Sequence, residues 1–198
     1  MLSEADLYRT FIAIEIPRDV RRRIIEHIDR LQHEFPNVRA SWNRADNFHI
    51  TLKFLGKVPV RDIRKLCDAV ERTTKTVPPF EITVAVCGTF PPRGRPRVLW
   101  LGLPHTPTEL MKLSERLENE CERAGFKRAE RPFEPHLTIA RIRDAIRGRL
   151  VAALHRKNAF ERQTVAVQSI VVMRSELRSD GAKHSVISNH LLRYVSPR

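Results

Sequence analysis

The chain runs twice through one order of elements, and that recurrence limits the folds open to it. In the first half an apolar run predicts a strand over 11–16, and Ile24, Ile28, Leu31 and Phe35 step at helical spacing. A strand opens at His49, a weaker helix covers 60–73, and Phe80, Ile82, Val84 and Val86 alternate along a strand over 80–86. The second half repeats the order. A buried strand over 98–103 follows the turn-forming stretch PPRGRP, and Leu110, Leu113, Leu117, Cys121 and Ala124 mark a helix. That helix has Thr106 as its expected cap, Pro107 at its first position, Glu109 to complete a capping box and Gly125 past its end. A strand then opens at His136, a helix covers 143–157, and strands over 165–173 and 185–195 finish the chain. Matching elements lie 87 residues apart (His49 to His136) or 88 apart (Arg18 to Thr106). A duplicated α+β unit follows, with two similar lobes about an approximate two-fold axis.

The two equivalent strands open alike, with His49-Ile50-Thr51-Leu52 and His136-Leu137-Thr138-Ile139. Side chains two apart on a strand share a face, so His49 and Thr51 project together while Ile50, Leu52 and Phe54 turn toward apolar packing. His136 and Thr138 stand likewise against Leu137 and Ile139. A single His-x-Thr triplet would mean little among eight histidines. Two copies on equivalent strands of a repeat would meet at one cleft. Two imidazoles there supply a general base and a general acid near neutral pH, and the threonine hydroxyls can donate to anionic oxygens between them. That set suits in-line displacement at phosphorus. It offers one good metal ligand per motif and no HExxH or Walker-type loop, so neither a metal nor a cofactor is expected. His27, His33, His105, His155, His184 and His190 lack a motif and read as surface or structural, and Trp42 and Trp100 as core or rim.

Composition narrows the class without choosing the partner. In 198 residues, 36 Lys and Arg against 23 Asp and Glu leave a net charge of +13. Such an excess suits phosphate binding. Because 28 of the 36 are Arg and they spread along the chain, a GC-rich genome explains it as well. No apolar run reaches the roughly 20 residues of a membrane span. The acidic start MLSEADLYRT does not read as a secretory signal, and Cys67, Cys87 and Cys121 form no CxxC pair, so a reducing cytoplasm is expected.

With these residues in place, the chain resembles the 2H phosphoesterase superfamily, whose mark is the twin His-x-Thr-x motif. RTFIAIEIP, NFHITLKFLGKV, RVLWLGL, FEPHLTIAR and SELRSDGAKHSV are similar to its RNA 2′,3′-cyclic phosphodiesterase branch, also called 2′-5′ RNA ligase, from about Tyr8 to Val195. The resemblance implies one domain over 1–198 made of two interleaved lobes, with antiparallel sheets flanking a central cleft and helices outside. It implies a metal-free, monomeric hydrolase that opens cyclic phosphate ends of RNA to 2′-phosphates. His49 would be the acid protonating the departing 3′ oxygen and His136 the base activating water; chemistry alone leaves these roles interchangeable. Thr51 and Thr138 would hold the phosphate, Arg141 the phosphate or the base, and Phe11 the nucleobase. His184 stands where the family often has Tyr, a departure that bears on any aromatic contact from this position. The same site would also suit 2′,5′-linked or small cyclic nucleotides, reversible 2′-5′ ligation, or non-catalytic binding of RNA ends.

Overall fold

Residues 6–144, 146–178 and 181–194 are described by the computed structural model. In chain order the elements are β1 (Leu7–Glu15), α1 (Arg18–Glu34), β2 (Ala40–Trp42), β3 (His49–Pro59), α2 (Ile63–Thr74), β4 (Thr76–Val77), β5 (Phe80–Val84) and β6 (Val86–Phe90). They continue with β7 (Val98–Gly102), α3 (Thr108–Arg123), β8 (His136–Ile142), α4 (Arg147–Lys157), β9 (Gln163–Val167), β10 (Ser169–Arg178), β11 (Gly181–Leu191) and β12 (Arg193–Tyr194). The fold is α+β, and every strand pairing among the described residues is antiparallel.

One sheet has the order β11-β10-β1-β3 and the other β6-β7-β8-β2; β12 with β4 and β5 with β9 make two short ribbons. The repeat is visible in the first pair of sheets. β1, α1 and β3 correspond to β7, α3 and β8, each lobe pairing its motif strand with the strand that opens its half. Each lobe also borrows from the other half of the chain, since β10 flanks β1 and β2 flanks β8. Helices form because their apolar residues fall on one stripe: α1 buries Val20, Ile24, Ile28 and Leu31, and α3 buries Leu110, Leu113, Leu117 and Cys121. These stripes and the inward residues of both sheets, among them Ile12, Ile50, Leu99 and Leu137, make one continuous core. A small second cluster of Phe11, Ala13, Val171 and Met173 sits on the opposite face of the first sheet. No helix among the described residues is long and apolar enough to cross a membrane.

Local expectations fail where a turn or bend intervenes. The strand expected over 80–86 breaks at Ala85, so that β5 pairs with β9 while β6 joins the second sheet and leaves Val86 exposed. Pro107, with no N–H to offer, becomes the cap of α3 in place of Thr106, and no side-chain cap bond forms. α4 begins at Arg147 rather than residue 143, after the Asp144 carboxylate accepts from the Ile146 and Arg147 N–H groups. β2 was not anticipated; three residues carry too little alternation to register. The final strand begins at Gly181, before the expected 185, and is interrupted at Leu192; Val195, its expected end, lies outside the described residues.

Two tight arrangements in the second lobe are testable. The Trp100 indole lies flat on the sheet across Gly88 and Gly102: a Cβ on Gly88 would stand 2.1 Å from the ring and one on Gly102 2.6 Å. Gly88→Ala is expected to lower stability by about 1–3 kcal/mol, as overpacking does. A urea midpoint equal to that of the wild type would show that the ring does not rest there. Beneath this sheet His155 donates from Nε2 to the Trp100 carbonyl (3.0 Å), so its Nδ1 accepts from His27 Nε2 (2.9 Å). Both rings are fully buried, and burial first of all lowers each pKa from 6.5 to about 4. They fold neutral but would charge on unfolding below pH 6.5. Stability is therefore whole above about 6.5 and falls as the pH drops toward 4, by about 3 kcal/mol per ring at most. Urea midpoints measured from pH 7 to 4.5 should fall, and more shallowly for His27→Gln; equal slopes would overturn this origin.

Candidate active site

The site is made by a defect that occurs twice. β3 pairs with β1 in register from Glu15↔His49 to Ala13↔Thr51, then slips so that Ile12 faces Lys53 and Leu52 is left unpaired. β8 slips at the same place: Trp100 faces Thr138, Leu99 faces Ala140, and Ile139 is left over. Each slip is a β-bulge at the fourth residue of a motif, and a bulge reverses which face the following residues take. Its consequences are equivalent. Lys53 and Ala140 turn inward and are buried, while Phe54 and Arg141 turn outward. Simple alternation sends Phe54 to apolar packing, yet it is 53 % exposed, with the Arg9 guanidinium 4.9 Å from its ring centre.

Thr51, Phe54, His136, Thr138 and Arg141 line one cleft of about 1250 Å³. The two motifs therefore converge across the gap between the sheets. His136, Thr51 and Thr138 border the space, and Arg141 reaches it because of the bulge. His49 forms the wall behind it. Its ring stands 4.7 Å from Phe11 and 5.4 Å, edge-on, from His184. Phe11 is 3 % exposed and packs with Ala13, Val171 and Met173, so it backs the imidazole instead of offering a face to the open cleft. Position 184 does make an aromatic contact, since His184 also meets Phe11 edge-on at 5.0 Å.

The two imidazoles are prepared differently. His136 Nδ1–H donates to the Glu134 carbonyl at 2.7 Å, which leaves the Nε2 lone pair free. Phe90 stands edge-on to this ring at 4.9 Å. His49 donates to the backbone of Asn47, which in turn donates from Nδ2 to the Ala182 carbonyl (2.8 Å) and ties the turn to β11. Burial, then the neighbouring His184, lowers the His49 pKa to about 4, against the Asn47 bond that raises it; His136 adds a smaller repulsion. Near neutral pH the His49 ring is therefore uncharged.

Lys53, sent inward by its bulge, reaches the Glu118 carboxylate on α3 at 2.6 Å and the Lys127 carbonyl at 2.8 Å. Glu118 also accepts from the Ala129 N–H (3.1 Å). This nearly dry pair pins the segment that leads through Glu134 to His136, and a buried ammonium needs such partners. Phe54, Phe90, His184, Asn47 and Lys53 were all missed as site residues. For Phe54 a signal existed, since it follows His49 by five residues as Arg141 follows His136. Away from the cleft lining, His27, Cys87 and His155 bring donor atoms within 4.8 Å of one another, a set able to ligate a metal between α1, α4 and β6. Hydrogen bonds occupy both His155 nitrogens and His27 Nε2 but leave the buried His27 Nδ1 without a partner, and burial pushes the thiol up to about 11.

Comparison with known proteins agrees with this geometry. The RNA 2′,3′-cyclic phosphodiesterase of Thermotoga maritima is 38 % identical over 135 residues, 68 % of this chain and 70 % of that protein. The protein of that name from Methanothermobacter thermautotrophicus is 31 % identical over 176 residues, 87 % and 92 % of the two chains, and that from Escherichia coli is 36 % identical over 137 residues, 69 % and 72 %. The crystal structure of E. coli LigT in apo form superposes with a TM-score of 0.74 at 26 % identity, covering 95 % of this chain and 99 % of that one. Its complex with 3′-AMP gives 0.74 at 27 %, covering 94 % and 98 %. The LigT like Phosphoesterase pattern matches twice, over residues 14–100 and 101–183, one copy for each pass through the repeated order of elements, and the chain belongs to that family.

Proposed function

We propose that the chain is an RNA 2′,3′-cyclic phosphodiesterase that leaves 2′-phosphate ends, its two lobes working as one domain. One observation carries this reading: equivalent bulged strands bring two threonine hydroxyls and the His136 imidazole to a single cleft, with its Nε2 lone pair free, and set the His49 imidazole near enough to feel the His136 charge. Named relatives and the nucleotide complex of E. coli LigT support it. Thr51 and Thr138 donate to the non-bridging phosphate oxygens. His136 Nε2 takes a proton from water as the water oxygen bonds to phosphorus. The P–O3′ bond breaks in line, and His49 gives its proton to O3′. The products are a 3′-hydroxyl and a 2′-phosphomonoester, with His136 charged and His49 neutral until solvent restores them. Phe11 and His184 hold the His49 ring, and Phe54 and Arg141 offer a ring face and a guanidinium to the nucleoside.

A neutral His49 is the wrong form for an acid, and the substrate corrects it. An anion between the threonines supplies the opposite charge that raises an imidazole pKa. Sulfate, which does not itself titrate here, should therefore bind at pH 6 with net proton uptake, read as a dependence of calorimetric heat on buffer ionisation. His49→Gln should lose that uptake. Equal proton counts for the two proteins would remove His49 from the acid role.

The direct test incubates a short RNA ending in a 2′,3′-cyclic phosphate with wild type, His49→Ala and His136→Ala in EDTA, and maps the terminal phosphate. The wild type should add one water and leave a 2′-phosphate, while each variant loses about 10²–10⁴ in kcat. Full activity of His136→Ala, or turnover only with added divalent metal, would overturn the mechanism. Absence of wild-type turnover, with 2′,5′-linked RNA cleaved instead, would keep the site and change its substrate.

A further inference from the structure

The cleft has unequal walls. Along α3 and the segment before β8, its lining mixes Glu115, Glu130 and Glu134 with Lys112 and Arg131, while Lys53 and Arg128 are already paired with carboxylates. The opposite rim differs. Phe90 and Val98, both in the lining, bound a loop that exposes Arg93, Arg95 and Arg97. Arg141 lies opposite Val98, and Arg143 follows after the buried Ile142. Backbone bonds then gather these segments: the Ile142 N–H donates to the Arg97 carbonyl (2.8 Å), the Arg143 N–H to the Arg39 carbonyl (2.8 Å), and Arg95 Nη2 to the Arg143 carbonyl (3.1 Å).

Six arginines thus stand at one end of the second sheet, running outward from the cleft. Among the described residues, the guanidinium groups of Arg39, Arg93, Arg97, Arg141 and Arg143 make no ion pair or hydrogen bond. Asp144, the nearest acid in sequence, is turned to Arg147 and to the backbone of the α4 start. Like charges so gathered repel unless an anion joins them. The segments that carry them run side by side at the roughly 4.8 Å spacing of neighbouring strands, so the ridge spans two to three phosphates of an extended strand.

We propose that this ridge binds the phosphodiester backbone of single-stranded RNA on the 5′ side of the cyclic phosphate, so that the enzyme works on polymer ends in preference to free cyclic nucleotides. The proposal rests on the cyclic phosphodiesterase reading above and adds where the rest of the chain lies. Nucleotides beyond the terminal one leave over the cationic rim, away from the mixed wall. The ridge touches phosphate alone and carries no base preference.

The test compares Arg39→Ala/Arg93→Ala/Arg97→Ala with the wild type on two substrates, a ten-nucleotide RNA and adenosine, each with a 2′,3′-cyclic phosphate. Arg95 and Arg141 are left intact. At low salt, kcat/KM for the RNA is expected to fall at least about tenfold, while that for the mononucleotide stays within about twofold. The slope of log kcat/KM against log salt for the RNA should become shallower by roughly 1, since half of the ridge serves one to two phosphates and each that the protein ceases to neutralise takes away about 0.7. RNA turnover and salt slope both unchanged would overturn the ridge and leave the reaction standing. A parallel loss on both substrates would overturn it too, showing that these arginines serve the reaction centre or the fold. Wild type inert toward both substrates would instead refute the cyclic phosphodiesterase reading itself.

Discussion

The slip of register at Leu52 and at Ile139 is the constraint on which the site depends. Without it, a residue three places after Thr51 or Thr138 would face the core, and Phe54 and Arg141 would lie under the sheet. With it, each motif strand presents its third and sixth side chains to the cleft while the fifth turns inward; the first, His136, lines the cleft in the second lobe and, as His49, backs it in the first. In the first lobe that inward residue is Lys53, and its need for partners draws in Glu118 and the Lys127 carbonyl. One backbone irregularity thus sets the cleft lining and fastens the segment that orients His136.

Duplication gives two equivalent positions; environment makes them unequal. His49 is enclosed by Phe11 and His184, and burial favours its neutral form. His136 has Phe90 at its edge and a carbonyl fixing Nδ1–H, which leaves a lone pair toward the space. A lone pair held toward the cleft by a fixed Nδ1–H is what a base needs. An imidazole that charges only beside an anion is what an acid needs if it is to be armed by its own substrate. Packing thus makes unequal two positions that symmetry would leave alike, and the proposed acid and base roles follow that inequality.

Much of this was legible in the chain. The 87-residue offset, the twin motifs and the helical stripes are local patterns, and they give the α+β duplication and both histidine–threonine pairs. Pairing across strands is not local. Nothing in HITLKFLG marks the bulge, because Leu52 suits a regular strand as well as an irregular one, so Phe54 was sent to the wrong face. His184 carries no motif; only the β10–β11 pairing, with Ser175 opposite it, lays it against His49. Thr106 offered a sound capping pattern, and Pro107 took its place because a residue without an N–H loses nothing at a helix start.

Charge shows the same division between sequence and fold. Spread along the chain, 28 arginines do not tell a binding surface from a compositional habit. Folding sorts them. Arg72 and Arg123 share Glu120, Arg128 takes Glu122 and Asn119, and Arg174 pairs with Glu176 while covering the Tyr8 ring at 4.1 Å. Such exposed pairs contribute little to stability, but they cancel field. Among the described residues Arg39, Arg93, Arg97, Arg141 and Arg143 stay unpaired where β2, the end of β8 and the loop before β7 meet, next to the cleft, as do Arg18, Arg22 and Arg30 along α1 away from it. Composition alone accounts for unpaired arginines anywhere on the surface; the group beside the cleft is the one placed to meet a chain that carries one phosphate per nucleotide.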